Sequence, residues 1–310
     1  MQEVIRAVSV VLNFNSSHEL CELLPQLEAQ RGVPHAVIVV DNASRSEEVS
    51  RAKEIFSQTW PYGLVGSTAE ITASIKHAVT PSRAYLVLHE HNGGYSAGNN
   101  VGIRLAEELG AAAVLIANPD MRLEDPNYVA QLYETLVGER SNLIAASRIV
   151  GLNGLDQSPL RELSYWEELL WPIFALRNKL FKPSSHVVLP PGNQPAAVRK
   201  VSGCCLMLRL DFLRGNGYLD EGVFLYCEEP ILAEKVRRAG GHIVFQPHLL
   251  AVHAHRKSIK GNPSRNMLQH IKSRCYYLRH YSNYRPIARA CLFVSYALLR
   301  FAHLIRLRFF

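Results

Sequence analysis

The chain has 310 residues, 48% hydrophobic and 20% charged, a composition that supports one large packed domain or two ordinary ones and excludes disordered and fibrous classes. Six cysteines, at 21, 204, 205, 227, 275 and 291, form no Cys-x-x-Cys pair and no regular framework, which excludes a disulfide scaffold and reads as reduced thiols of a cytosolic protein. The net charge of +7 is uneven: Arg256 to Phe310 holds 12 Lys and Arg and no acid, against 22 basic and 27 acidic groups before it.

Residues 7 to 13, "AVSVVLN", read as a buried strand. Ser16 and Glu19 have the spacing of a capping box, and Leu20, Leu23, Leu24 and Leu27 recur at helical spacing behind them. The unit repeats: strand 36 to 40, exit loop 41 to 44 and a helix start at Ser46-Glu47-Glu48; then strand 84 to 90, the loop "HNGGYSAGNN" and a helix to about Glu108. A fourth strand, "VLIA" from 114, leads through Asn118-Pro119-Asp120 to a helix from about Asn127 to Val137. Strands alternating with helices predict an α/β, Rossmann-like, mostly parallel sheet flanked by helices, with ligands bound beyond the carboxyl ends of the strands.

Residues 151 to 200 break this rhythm with two Trp and the Pro-rich "LPPGNQP" and read as a variable insertion on the acceptor side. A strand at 201 to 209, a loop at 217 to 230, a helix from Ile231 to Ala239 and a strand at 242 to 247 follow. The organisation expected is a catalytic domain over 1–260 and a basic helical tail over 261–310.

Several polar residues stand where chemistry is expected. Asp41 and Asp120 both leave strands at one edge of the sheet; an acid there can bind a nucleoside or hold a divalent cation, and it can equally just cap the following turn. Pro119 holds Asn118 extended and aims Asp120 into the crevice. Gly93, Gly94 and Gly98 do not match the dinucleotide fingerprint, which would follow the first strand, yet a permissive loop at a helix N-terminus suits a diphosphate. Glu228 and Glu229 precede Pro230 at a helix N-terminus, where the dipole favours ionised carboxylates able to take a proton. His253 and His255 point the same way if that stretch is extended.

In order along the chain, Asn13-Phe14-Asn15, "VDNAS" (40–44), "NGGYSAGNNVGI" (92–103), "NPD" (118–120), "VSGCCLMLR" (201–209), "GYLDEGVFLYCEE" (217–229) and "VHAHRKS" (252–258) resemble the motifs of family 2 glycosyltransferases, closest to the rhamnosyltransferase-like branch. The resemblance covers roughly residues 7 to 260. It implies the GT-A fold, a dTDP- or UDP-linked sugar donor and Mg²⁺ or Mn²⁺. It also implies donor contacts from Asn13, Asn15, Asp41, Asn42, Asn92, Gly93, Gly98, Asn99 and Asn118. Asp120 would be the remaining acid of the metal motif, Asn118 standing where the first acid is usual, with His253 (or His255) beside the metal. Glu229 takes the place of the catalytic Asp, and Glu-Glu-Pro-Ile-Leu departs from the usual Glu-Asp-x-Asp-Leu, so the choice of base between Glu228 and Glu229 stays open.

The activity implied is an inverting hexosyl transfer, possibly of rhamnose, to a lipid-linked or glycan acceptor in surface polysaccharide synthesis. A non-catalytic nucleotide-sugar or glycan binder on the same fold is the alternative. No secretory signal is expected at the N-terminus, and no charge-free run approaches the ~20 residues of a spanning helix, the longest in the tail being Ala290 to Leu299. The basic, aromatic tail is read as a peripheral attachment to the anionic inner face of the cell membrane, against the plainer reading of a helical pair packed on the domain. No nucleic-acid motif accompanies the charge.

Overall fold

The structure is a computed structural model that describes residues 4–78, 81–171, 173, 187–254 and 262–309. Its centre is a sheet of the order β3-β4-β2-β1-β5-β10-β7-β11-β6. Strands β1 (Ala7–Asn13), β2 (His35–Asn42), β3 (Leu64–Ser67), β4 (Ala84–His89) and β5 (Ala113–Ala117) form its parallel half. Beyond β5 the sheet is mixed. The strand β10 (Cys205–Arg209) runs antiparallel to both β5 and β7 (Asn142–Gly151), while β11 (His242–His253) is parallel to β7 and antiparallel to the short β6 (Met121–Arg122). Two further short strands, β8 (Asp156–Ser158) and β9 (Ala196–Val198), pair with β7 and β11.

Alternate residues of the parallel strands feed two cores, as a period of two requires. Val8, Val10, Ile38 and Val40 face α3 (Thr68–His77), α4 (Tyr95–Glu108), α7 (Leu210–Gly215) and α8 (Glu228–Arg238). Ala7, Val11, Val37 and Val39 face α1 (Ser17–Glu28), α2 (Ser46–Thr59) and α5 (Tyr128–Gly138). Helix α4 lies close enough to the sheet that a Cβ on Gly102 would stand 2.5 Å from Val10 Cγ1, and one on Gly98 2.5 Å from Leu12 Cδ1.

The short α6 (Tyr165–Leu169) and the helices α9 (Pro263–His280) and α10 (Pro286–Phe309) enclose a third cluster around Ile271, Leu278, Leu292, Tyr296 and Leu299. At its centre the buried Glu168 carboxylate accepts from Arg274 Nε, from Tyr296 OH at 2.9 Å and from Tyr284 OH at 3.4 Å. The last two helices are therefore packed as a pair, and α9 is also fastened to the 217–229 loop. Asp220 accepts from Tyr276 OH at 3.1 Å and from Tyr281 OH, and Ser273 Oγ donates to the Leu225 carbonyl at 2.7 Å.

Several expectations are corrected. The box at Ser16 does not form: its hydroxyl donates to Asn13 Oδ1 at 3.2 Å, and Glu19 is drawn to Arg122 at 2.9 Å. Residues 64–77 hold a strand and a helix where none was read, and that helix opens on a true capping box, Ser67 with Glu70. The strand expected over 201–209 begins only at Cys205, the one over 242–247 runs on to His253, and the helix after Glu229 begins at Glu228. Part of 151–200 joins the sheet through β8 and β9. Residues Pro286–Arg308 do form a helix long and apolar enough, by length and composition, to cross a membrane, because Arg289 and Arg300 interrupt the charge-free run without ending the helix.

The close approach of α4 gives a first prediction. Gly102→Ala should lose about 1–3 kcal/mol by overpacking against Val10. Gly138→Ala, which meets nothing within 4 Å, should stay within about 0.5 kcal/mol of the parent; urea denaturation of both variants checks the difference.

Candidate active site

The exits of β1 and β2 meet in register at Asn13 and Asp41. Asn13 Nδ2 donates to Asp41 Oδ2 at 2.8 Å, and the Ser44 N–H donates to Oδ1 at 2.9 Å. With 1% of its surface exposed, Asp41 closes the turn in the way a turn acid does, while each carboxylate oxygen keeps a further lone pair. Asn15, at φ 51°, receives Arg45 N–H on Oδ1 and gives its own N–H to Ser44 Oγ, both at 2.9 Å.

The next contact carries this edge toward α8. Asn42 Nδ2 donates to Asn92 Oδ1 at 3.0 Å and to the Gly94 carbonyl at 3.3 Å. Gly94 has φ +97°, and a Cβ there would lie 2.2 Å from the Phe224 carbonyl oxygen, so only glycine is accommodated. The Tyr95 N–H donates to that same carbonyl at 2.9 Å. The first N–H of α4 thus faces the 224 loop. Gly98 lies against Leu12, and Asn99 is fully buried with its Nδ2 on the Tyr95 carbonyl at 3.0 Å. The amide oxygens of Asn42 and Asn99 are buried without a hydrogen-bond partner among the described residues.

At the β5 exit, Asn118 N–H donates to the Cys204 carbonyl at 2.8 Å, and the turn closes through Met121 N–H on the Asn118 carbonyl. Because β6 pairs with the end of β11, Met121 lies opposite His253. Asp120 Oδ2 then stands 3.2 Å from His253 Nε2, with both side chains about one-sixth exposed. His253 Nδ1 meets Gln157 Oε1 at 2.6 Å; with Nδ1–H donating there, Nε2 donates to the Asp120 carboxylate in the protonated ring or offers its lone pair to a cation in the neutral one. One oxygen and one imidazole nitrogen at this separation suit a cation such as Mg²⁺ or Mn²⁺ that takes its other ligands from phosphate and water. No group of three or more His, Cys, Asp or Glu able to hold a metal occurs among the described residues. His255 lies outside them.

The third part is the start of α8. Tyr226 and Cys227, at φ 71° and 69°, hold the left-handed conformation that costs a non-glycine residue about 1–2 kcal/mol. Ser273 and the His270 ring, whose centroid is 5.7 Å from that of Tyr226, hold this turn from α9. It delivers Glu228 and Glu229 as the first two residues of the helix, with Pro230 third. Gly203 leaves room for Glu229, whose Cγ and Oε1 would lie 3.4 Å from a Cβ there, and Tyr95 OH donates to the Gly203 carbonyl at 2.6 Å.

The two carboxylates differ. Burial, and next the charge of Glu229, push the Glu228 carboxyl from its ordinary 4.5 up to about 7. Its Oε1 is buried without a partner among the described residues. Both acids line a small cavity with Tyr95, Ile116, Leu206 and Ile231, which neither Asp41 nor Asp120 lines. The link to Asp120 runs instead through Cys204: burial above all raises that thiol's pKa, and the charges of both Asp120 and Glu229 add to the rise. Lys200 also neighbours Glu229; burial lowers its pKa and the Glu229 charge opposes that. Gln157, Cys204, Lys200 and Tyr95 were not singled out by sequence, since each takes its place from a pairing distant along the chain.

No family model matches the sequence. Over 151 residues it is 30% identical to the low-salt glycan biosynthesis hexosyltransferase Agl10 of Haloferax volcanii, a stretch covering 47% of this chain and 44% of that relative. The chain therefore spans less than half the length of that curated relative. In three dimensions it is similar to a mannosyltransferase from Pyrobaculum calidifontis in complex with GDP-Man and Mn²⁺, with a TM-score of 0.56 at 14% identity over 96% of this chain and 70% of that one. It is also similar to S. aureus TarS 1–349 in complex with UDP, with a TM-score of 0.52 at 14% identity over 96% and 72%. The fold is thus that of these two structures, a large α/β sheet flanked by helices.

A pH test follows from Glu228. Between its ordinary 4.5 and the folded value of about 7, the folded protein holds a proton that the unfolded chain has released, so stability falls as pH rises through that window. Glu228→Gln should flatten the fall by on the order of 1–3 kcal/mol, measured as the change in urea midpoint between about pH 5 and about pH 7.5.

Proposed function

We propose that this protein is a metal-dependent, inverting glycosyltransferase that moves a hexose-type sugar from a nucleoside diphosphate to a hydroxyl of a glycan or lipid-linked acceptor. The observation that carries the reading is that β10 brings Gly203, which lies against Glu229, and Cys204, which accepts the Asn118 N–H, to the β5 exit where Asp120 stands 3.2 Å from His253. The relative's description as a hexosyltransferase of glycan biosynthesis supports it, as do the GDP-Man, Mn²⁺ and UDP bound to the structural neighbours.

In this reading the Asn13–Asp41–Asn15 turn receives the nucleoside, and the diphosphate lies between it and Asp120. Asp120 and His253 would hold the cation, which supplies positive charge against the departing diphosphate. Glu229 is the base, beside a Glu228 carboxyl that burial and the Glu229 charge push up to about 7. Glu229 takes the proton of the acceptor hydroxyl while that oxygen bonds to the anomeric carbon, and the bond from that carbon to the diphosphate oxygen breaks on the opposite face. The nucleoside diphosphate leaves with the bonding pair, and no covalent enzyme intermediate forms.

A panel of dTDP-, UDP- and GDP-linked sugars, dTDP-rhamnose included, should identify one donor whose nucleoside diphosphate is released with Mg²⁺ or Mn²⁺ and not with EDTA. Glu229→Gln should lower kcat about 100-fold or more while nucleotide binding persists. Loss of activity in Glu228→Gln with a normal Glu229→Gln would exchange the two roles. Nucleotide binding without release from any donor would identify a non-catalytic binder.

A further inference from the structure

Helix α10 has one face packed and the opposite face bare. Leu292, Tyr296 and Leu299 are buried against α9 and α6. On the far side Ile287, Val294, Leu298, Phe301 and Ile305 are 82%, 61%, 65%, 64% and 42% exposed. Their spacing of seven, four, three and four residues draws one stripe along the helix, about 27 Å long at 1.5 Å per residue. A continuous row of large apolar side chains is not an ordinary soluble surface.

We propose that this face is a docking surface for an anionic lipid bilayer, on which α10 lies in the plane of the headgroups. Charge selects the occupant. The same helix carries Arg289, Arg300, Arg306 and Arg308, and no acid occurs between Arg256 and Phe310. A basic helix with an apolar face meets its complement in anionic lipid. A second copy would set two such acid-free segments against each other and repel. Spanning is disfavoured by the same residues: it would strip Tyr296 OH from Glu168 and Ser295 Oγ from the Leu169 carbonyl, and it would draw Arg300 toward the middle of the hydrocarbon.

The docking surface is rigidly related to the site. Helix α9, which packs on the inner side of α10, also holds the loop that delivers Glu228 and Glu229, through Tyr276 on Asp220 and against Gly222 and through Ser273 on Leu225. Docking would therefore fix the attitude of that loop toward the lipid surface, and on the transferase reading above the acceptor would be presented from that surface. The docking itself does not depend on that reading.

The experiment uses the full chain with sedimented vesicles of phosphatidylcholine containing about one quarter phosphatidylglycerol, against vesicles of phosphatidylcholine alone. The protein should pellet with the anionic vesicles and be released by high salt. Leu298→Glu with Phe301→Glu, both solvent-facing, should weaken binding at least about tenfold with an unchanged melting temperature. Failure to bind anionic vesicles, or undiminished binding by the variant, overturns the proposal. So does a lipid-free dimer abolished by the same substitutions, and so does resistance to alkaline extraction from native membranes, which would mean that the helix spans. Nucleoside diphosphate release measured without vesicles reports on the transferase reading separately.

Discussion

Coverage of the parallel strands on both faces is the constraint on which the site depends. A strand buried above and below can carry a polar side chain only where a partner awaits it, as Ser9 does with His35 Nε2 at 2.8 Å. Elsewhere β1, β2 and β5 stay apolar until the chain leaves the sheet, and polar groups appear together at the carboxyl ends: Asn13, Asp41 and Asn42, then Asn118 and Asp120. Parallel pairing turns that common ending into a common edge, because β1 aligns Asn13 with Asp41 on one side and Val11 with Ala117 on the other. The site's address follows from burial and register before any single residue is considered.

The mixed half of the sheet adds what parallel strands alone could not. Running antiparallel between β5 and β7, β10 brings Cys204 and Gly203 back past the β5 exit, where Cys204 receives the Asn118 N–H and Gly203 makes room for Glu229. The turn that supplies Glu229 is strained at Tyr226 and Cys227, and such strain persists only where the surroundings over-determine it. Those surroundings are largely α9, through Ser273, Tyr276 and His270. The last helices thus support the loop that carries Glu228 and Glu229 and are packed on the domain, as the plainer expectation for the tail had it.

How much of this was legible in the sequence depends on whether a residue's partner is near or far. Apolar runs ending in polar residues, Asn13, Asp41 and Asn118, announced β1, β2 and β5 and their exits, and the Gly94 turn was visible as a glycine-rich loop. Asp41's hydrogen bond to Ser44 was legible as the turn-capping alternative, because the partner is three residues away. Glu19 misled for the opposite reason: its local pattern pointed to Ser16, while its partner, Arg122, comes from β6. The edge strand β3 is half exposed and lacks a buried alternation, although the Ser67-x-x-Glu70 spacing behind it was readable. Gln157 reaches His253 only because β8 folds back on β7, which no local pattern announces. Counting uninterrupted apolar residues also misjudged α10, since a helix sorts Arg289 and Arg300 to its flank while its stripe continues.

The paired acids at the head of α8 show how one sequence feature divides under physical constraint. Two adjacent carboxylates at a helix N-terminus share the favourable dipole, so position alone gives them similar claims to a proton-accepting role. They part because successive helical residues point about 100° apart. Glu228 lines the apolar cavity with Ile116 and Leu206, where its Oε1 has no partner among the described residues and burial favours the protonated form. Glu229 lines the same cavity and lies against Gly203, and its charge opposes the lowering of the Lys200 amine by burial. The doubled acid is thus unequal: the charge of Glu229 adds to burial in raising the Glu228 carboxyl to about 7.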